Sequence, residues 1–305
     1  MVIGAIEAGG TKFVAGLLNS GKAANASGPM APEVLELASF PTTSPKETVS
    51  IVCQWFRAKL PSNGSLELLG LASFGPLSGR IGEAGWGRLG PTPKPGWSGF
   101  DLAGALEKEL GVKAAVDTDV NAAALAEGLW GAGKSLSDYV YVTVGTGIGA
   151  GLVSGGKLVH GAGHPEAGHV PVPREQGDGY PGCCPFHADC LEGMASGPAV
   201  AGRWGSAPEK LPPDHPAWAL EAKYLASGFL PYVHILASER IILGGGIGSL
   251  PWLMPMIKKS LSEKLASYTP RLDTSHAMDS FIRSPGLGSK AGILGAAALA
   301  LAYSL

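Results

Sequence analysis

Tyr139-Val-Tyr-Val-Thr-Val-Gly145-Thr-Gly-Ile-Gly149-Ala-Gly-Leu-Val-Ser154-Gly-Gly-Lys-Leu-Val159 reads as strand, glycine turn, strand, tight turn, strand. The chain opens in the same order: residues 2–6, the turn Glu7-Ala-Gly-Gly-Thr-Lys12, residues 13–18, a turn at Ser20-Gly21, and residues 34–40. One structural unit is therefore used twice. Moving outward, Val49, Val52, Cys53, Phe56 and Leu60 recur at helical spacing over 48–60, and residues 68–74 form a strand of the buried type. Residues 77–97, rich in Gly, Pro and Trp, carry no period, and such a segment is expected to lie over a site. Asp101 is placed to N-cap a helix over 102–110, followed by a strand over 112–116 and an Ala-rich helix over 122–130. The second half holds a helix over 217–237 interrupted by Pro231, a strand over 240–243 ending in Gly244-Gly245-Gly246, a helix over 254–268, and an Ala-rich helix from Ala291. Alternation of this kind predicts α/β architecture: two domains, each with a largely parallel sheet, and a cleft between them.

Composition narrows the function classes. At 305 residues, the length corresponds to about two domains of ~150 residues. Twenty-three basic against 25 acidic residues give a net charge of −2, and only 16% of residues are charged, so no basic stripe exists to neutralise phosphates and no nucleic-acid partner is expected. A hydrophobic content of 45% excludes disorder. The longest apolar stretch, 291–303, contains two glycines and is too short for a bilayer, so no membrane association is expected. The N-terminus shows neither a basic n-region nor a cleavage site, which predicts a cytoplasmic protein.

The 46 glycines gather in clusters between apolar runs. Gly9-Gly10-Thr11-Lys12 and Gly145-Thr146-Gly147 pair missing side chains with a Thr hydroxyl, which lets main chain approach a polyphosphate; two plain hairpin turns are the alternative. Gly244-Gly245-Gly246 adds a third cluster. The string Gly128 to Ser135 fits a P-loop expression, but a helix precedes it and a strand follows, the reverse of what a P-loop requires. Gly145-x-Gly147-x-x-Ala150 likewise mimics a dinucleotide fingerprint but leads into a strand. Cys184-x-x-His187-x-x-Cys190 offers three zinc ligands, with His169 or His164 as a fourth; a closed structural site is expected ahead of a catalytic one that keeps a position for water, and reduced free thiols are the third reading. His164-Pro165-Glu166 echoes a zinc deaminase signature whose Pro-Cys-x-x-Cys is absent. Asp119, on a strand-to-helix turn, suits a general base toward a hydroxyl, while spacing alone favours an N-cap of the helix that follows. Glu166 and Glu192 flank the cysteine segment and either bind sugar hydroxyls or are simply solvated.

Taken together, Glu7-Ala-Gly-Gly-Thr-Lys12, Thr118-Asp-Val-Asn-Ala-Ala-Ala-Leu-Ala-Glu127, Gly145-Thr-Gly-Ile-Gly149, Glu166-Ala-Gly-His169, the Cys184/His187/Cys190 group and Leu243-Gly-Gly-Gly-Ile247 resemble the ROK family of sugar kinases and repressors across essentially the whole chain. The resemblance implies an actin-like ATPase (ribonuclease H-like) fold. Its first α/β domain, 1–117, would be completed by a C-terminal helix at about 290–305; its second, 118–289, would carry the zinc-binding segment 164–192. It also implies Mg²⁺ bound with ATP, a structural Zn²⁺, a hexose substrate and a homodimer. By position, Asp119 matches the catalytic base; Thr118, Glu166, His169, Glu192 and Trp97 match the sugar site. Gly10, Thr11, Lys12, Gly145, Thr146, Gly147, Pro198, Gly244, Gly245 and Gly246 match nucleotide-binding segments, and His169, Cys184, His187 and Cys190 match the zinc ligands. The chain begins on the first strand, leaving no room for the DNA-binding domain of the repressor branch, so an enzyme is expected rather than a sugar sensor or a zinc hydrolase. Glu7 departs from the Asp of most members and Thr118 from the Asn of the family's glucokinases; with Thr92 to Trp97 and the compact Cys184 to Cys190 cluster they resemble the bacterial fructokinase branch, which makes fructose the expected hexose and mannose a secondary one.

Overall fold

The computed structural model describes residues 1–20, 30–60, 64–83 and 85–303. Gly21 of the expected turn at Ser20-Gly21, and residues 304–305 at the end of the C-terminal segment, lie outside them. In chain order the elements are β1 (Val2–Ala8), β2 (Lys12–Asn19), β3 (Glu33–Pro41), α1 (Pro45–Lys59), β4 (Leu68–Ser73), β5 (Leu77–Ser78), β6 (Arg88–Leu89), α2 (Leu102–Leu110), β7 (Ala114–Thr118) and α3 (Asp119–Trp130). There follow β8 (Tyr139–Val144), β9 (Ile148–Ser154), β10 (Lys157–Leu158), α4 (Leu191–Ala195), α5 (Gly197–Trp204), α6 (Pro216–His234), β11 (Arg240–Gly244), α7 (Leu253–Leu265), α8 (Ser275–Phe281), β12 (Ile282–Arg283) and α9 (Ala291–Ala302). They form two compact units: residues 1–134, 158–165 and 286–305 make the first, and residues 135–157 and 166–285 the second.

The first unit is built on a sheet of order β3-β2-β1-β4-β7, antiparallel from β3 to β1 and parallel from β1 to β7. β1 and β4 are buried along most of their length, which is why they read as unbroken apolar runs. One face packs Ile6, Phe13 and Leu71 against Val52, Phe56, Leu102 and Leu106 of α1 and α2. The other packs Ile3, Ala5 and Ala72 against α3 and α9, whose contact residues are mostly Ala: Ala122, Ala126, Ala296, Ala297 and Ala300. Small residues let backbones meet closely: a Cβ on Gly70 of β4 would fall 1.7 Å from the Ala296 carbonyl oxygen, and one on Gly295 2.5 Å from the Ala122 carbonyl carbon. The Asp101 carboxylate accepts from the Gly104 amide at 2.9 Å and caps α2.

In the second unit the sheet order is β10-β9-β8-β11-β12, again an antiparallel meander continued by parallel strands. The duplication read from the two glycine turns is thus a duplication of topology. Its core joins Val140, Val142, Ile241 and Leu243 of the sheet to Trp218 and Phe229 of α6 and to Ile257 and Leu261 of α7. Pro231 does not interrupt α6, which runs through it to His234; a proline in the last turn removes one main-chain donor, and the surrounding core holds the rest. Ala266, at φ +48°, ends α7 before the expected boundary at Tyr268. Among the described residues no helix is long and apolar enough to cross a membrane.

Because α9 meets β4 backbone to backbone at Gly70, Gly70→Ala is expected to lower the free energy of unfolding by ~1–3 kcal/mol through overpacking. Denaturant titration checks this; stability equal to that of the parent would show that α9 does not approach so closely.

Candidate active site and metal centre

In the first unit, β7 ends at Thr118 and α3 begins at Asp119. The capping role falls to Thr118, whose Oγ1 accepts from the Asn121 amide at 3.2 Å, and not to Asp119. Thr118 is accordingly buried, while Asp119 is partly exposed on the first turn, with its Oδ1 accepting from the Val120 amide at 2.9 Å. Beneath this turn lies Asp117, fully buried, which accepts from the Thr118 amide (2.7 Å) and the Asn121 Nδ2 (2.8 Å) and lies 2.7 Å from His160 Nε2. The sequence places Asp117 on the strand-to-helix turn but gives neither it nor His160 a role. Their pairing spans 43 residues and follows no period, although a carboxylate closing an apolar strand is itself an unusual residue to bury.

At the other glycine turn of this unit, Gly10, Thr11 and Lys12 are exposed; Thr42 holds the turn from behind through its Oγ1 to the Gly9 carbonyl (2.7 Å) and its amide to the Thr11 carbonyl (2.9 Å). Glu7, just before it, sits against α9, where a Cβ on Gly292 would lie 2.2 Å from its Cδ. Burial pushes the Glu7 carboxyl above its ordinary pKa, with Lys12 opposing. Trp97 is fully enclosed, with Phe13, Phe74 and Phe100 around the ring and its Nε1 donating to the Thr43 carbonyl at 2.9 Å. That leaves no ring surface for a ligand, and its place is in the core that supports the 91–100 loop.

The second unit draws its glycine clusters together. The turn 145–147 is closed by the Gly145 amide on the Gly147 carbonyl (2.9 Å), and the Gly197 amide at the start of α5 donates to the Gly145 carbonyl (2.7 Å). The amides of Ile247 and Gly248 donate to the Val144 carbonyl at 2.9 and 3.2 Å, which seats Gly244-Gly245-Gly246 beside that turn. Gly245 has φ +86°, and a Cβ there would lie 2.4 Å from the Val144 carbonyl oxygen, so only glycine fits. Thr146, Gly246 and Pro198 form an exposed rim on this cluster. Glu192, on α4, accepts from the Ile148 amide at 3.0 Å, and its carboxylate occupies the space a Cβ on Gly147 would need. The short turn Ala167–His169 packs on the same strand start, since a Cβ on Gly168 would lie 1.8 Å from the Ile148 carbonyl oxygen; Glu166 stands exposed at its entry.

His169, Cys184, His187 and Cys190 present ligand atoms that all lie within 4.8 Å of one another. Cys184 Sγ is 3.6 Å from His169 Nδ1 and 3.7 Å from His187 Nδ1, and Cys190 Sγ is 3.5 Å from His169 Nδ1. Zinc–sulfur and zinc–nitrogen bonds of about 2.3 and 2.05 Å at tetrahedral angles give an S···N edge of about 3.5 Å, so the donor set fits a closed zinc site. The hairpin in which Cys184 and Ala188 exchange main-chain hydrogen bonds brings His187 back beside Cys184, and the Leu191 amide on the Val170 carbonyl brings Cys190 beside His169. His164 is elsewhere, on the first unit, with the Leu77 amide donating to its Nε2 at 3.4 Å. Cys183 faces Ser196 Oγ at 3.7 Å, outside the ligand set. Burial pushes the Cys190 thiol up to about 11, so metal uptake must displace its proton.

Residues 3–303 match the model of the ROK family. The chain is 39% identical over 305 residues to a fructokinase of Zymomonas mobilis, covering 99% of this chain and 97% of that protein. To a fructokinase of Pediococcus pentosaceus it is 37% identical, covering 99% and 98%. A ROK family glucokinase of Streptomyces griseus, solved with glucose and AMPPNP, superposes with a TM-score of 0.75 at 24% identity, covering 99% of this chain and 100% of that one.

The purified protein is expected to carry about one zinc per chain, as a closed four-ligand site requires. Cys184→Ala is expected to lose the metal and to unfold at lower temperature. Elemental analysis and thermal unfolding check both, and unchanged metal content in the variant would remove the cluster as a site.

Proposed function

The chain belongs to the ROK family and has its actin-like ATPase fold, and from this premise we propose that it transfers the γ-phosphoryl group of Mg-ATP to the 6-hydroxyl of D-fructose, as an ATP:D-fructose 6-phosphotransferase. The choice of fructose rests on one observation: 39% identity to a fructokinase over virtually the entire chain.

In this reading Asp119 is the general base. Its partly exposed position on the first turn of α3, between the capping Thr118 and an anchored Asn121, supports that role. The carboxylate takes the proton as the sugar oxygen forms its bond to the γ-phosphorus, the bond from that phosphorus to the bridging oxygen of ADP breaks, and ADP leaves with the electron pair. Gly10, Thr11 and Lys12 in the first unit, with the 145–147 turn, Gly244 to Gly246 and Pro198 in the second, contact the nucleotide. Of these, Gly10, Thr11, Lys12, Thr146, Pro198 and Gly246 are exposed, Gly244 is buried, and main chain at glycine turns is what approaches phosphate oxygens most closely. Glu166, Glu192 and His169 serve the sugar through charge-assisted hydrogen bonds to hydroxyls. Bound zinc would neutralise two thiolates and fix the irregular segment from 170 to 190 that leads into Glu192; its part is structural.

Two assays bear on this. ADP release measured across fructose, mannose, glucose, N-acetylmannosamine and allose is expected to be greatest with fructose. A different preferred hexose would move the chain within the family, and turnover on none, with sugar binding retained, would make it a sensor. Asp119→Asn is expected to lower kcat ~10²-fold or more with little change in KM for sugar; near-parental turnover would remove Asp119 from the role of base.

A further inference from the structure

We propose that His160 is a positioning residue for the base-bearing turn: its imidazolium pairs with buried Asp117, and Asp117 in turn holds Thr118 and Asn121 on either side of Asp119. The inference rests on the reading of Asp119 as base. Three donors converge on the Asp117 carboxylate: the Thr118 amide at 2.7 Å, the Asn121 side-chain amide at 2.8 Å, and His160 Nε2 at 2.7 Å. Of these only His160 can carry charge, and a carboxylate with no exposed surface needs a counter-charge or stays protonated.

The surroundings are built for the charged ring. The hydrogen bond to Asp117 is the largest influence raising the His160 pKa, partly opposed by burial and reinforced by the backbone of Leu158. Trp86 closes the pair from outside, its ring edge-on to His160 with centroids 6.0 Å apart and its Nε1 donating to the Val116 carbonyl at 3.2 Å. The His160 side chain retains only 13% of its exposure. His160 comes from residues 158–165, a short excursion of the chain into the first unit between two stretches of the second. Nothing within that excursion requires a histidine, whereas the floor of the 117–121 turn does.

If His160 acts through Asp119, its loss slows the chemical step, and the loss disappears where Asp119 is already gone. His160→Leu is expected to lower kcat on fructose ~10- to 100-fold, the scale of a displacement of about 1 Å at a reacting group, with KM for sugar and ATP little changed. In an Asp119→Asn background the same change is expected to cost less than about 2-fold, whereas a merely structural defect would repeat its full factor there. His160→Gln, whose amide still donates toward Asp117 but brings no counter-charge, is expected to recover only part of the loss. Asp117→Asn, an isostere, breaks the pair from the other side and stands in should His160→Leu not fold. Independently of turnover, hydrogen exchange at the Thr118, Val120 and Asn121 amides is expected to accelerate ~10-fold or more in His160→Leu and by less in His160→Gln. Parental kcat in His160→Leu, or a full additional loss in the Asp119→Asn background, overturns the proposal. Should the parent phosphorylate no hexose, the functional reading fails by itself and exchange decides; amides of 118–121 that exchange no faster in His160→Leu or Asp117→Asn overturn the positioning role.

Discussion

The first unit depends on how closely α9 lies against β4 and α3. Gly70 and Gly295 remove the Cβ atoms that would otherwise collide with the backbones of α9 and α3, and alanines line the rest of the contact. Dispersion falls off steeply with distance, so such an interface gains its energy from many short contacts rather than from large side chains. The consequence reaches the candidate site. α3 carries Asp119 at its N-terminus, and its opposite end is fixed by Glu127, fully buried, which accepts from the amides of Ala132 (2.6 Å), Gly286 (2.9 Å) and Leu287 (2.9 Å). Gly286 and Leu287 begin the segment that leads into α9, so the helix bearing the candidate base is held along its side and at both ends.

The second unit meets a different difficulty. Between β10 and α4 the chain runs through more than thirty residues with only one short helical turn, and irregular backbone of that length does not hold itself. Two anchors hold it. One is the His169, Cys184, His187 and Cys190 group. The other is Asp178, which accepts from the Tyr224 hydroxyl at 2.5 Å and pairs with Arg203 at 3.2 Å, while Arg203 also donates to the Met194 carbonyl at 2.9 Å and stacks over Tyr180. Burial alone would raise the pKa of Asp178, but Tyr224, the Tyr180 amide and Arg203 outweigh it and hold the carboxyl below its ordinary range. Both anchors end on α4 and α5, the helices that carry Glu192 and the start of the glycine rim.

What the sequence made legible was whatever repeats or punctuates. Strand, glycine turn and strand could be read twice, because glycine clusters bounded by apolar runs state both the period and its interruption. The Asp101 cap and the cysteine spacing were legible because capping and tetrahedral ligation each fix residue type at a fixed offset. The cap expected of Asp119 is made by its neighbour: Thr118 Oγ1 takes the Asn121 amide, while Asp119 Oδ1 accepts from the Val120 amide. Trp97 was assigned to the sugar site by resemblance alone, yet the fold encloses it between Phe13 of β2 and Phe74 just after β4, residues distant from it in sequence. The Asp117–His160 pair has no local signature, since only folding brings residue 160 to residue 117.

The buried carboxylates explain why those two positions are acidic. Asp117 and Glu127 each collect three hydrogen-bond donors, so each stays where elements of the first unit must be held in register with α3. Glu221, on α6, is equally buried, but neither of its oxygens has a hydrogen-bond partner, and burial pushes its pKa well above the ordinary value against the weaker pull of Arg203. An ion in that position would cost several kcal/mol, so Glu221 keeps its proton and packs as a neutral side chain. A buried carboxylate in this fold is therefore an organiser only where amides, or a cationic ring, converge on it. That condition is met on both sides of the helix that presents Asp119 and is absent in the core of α6.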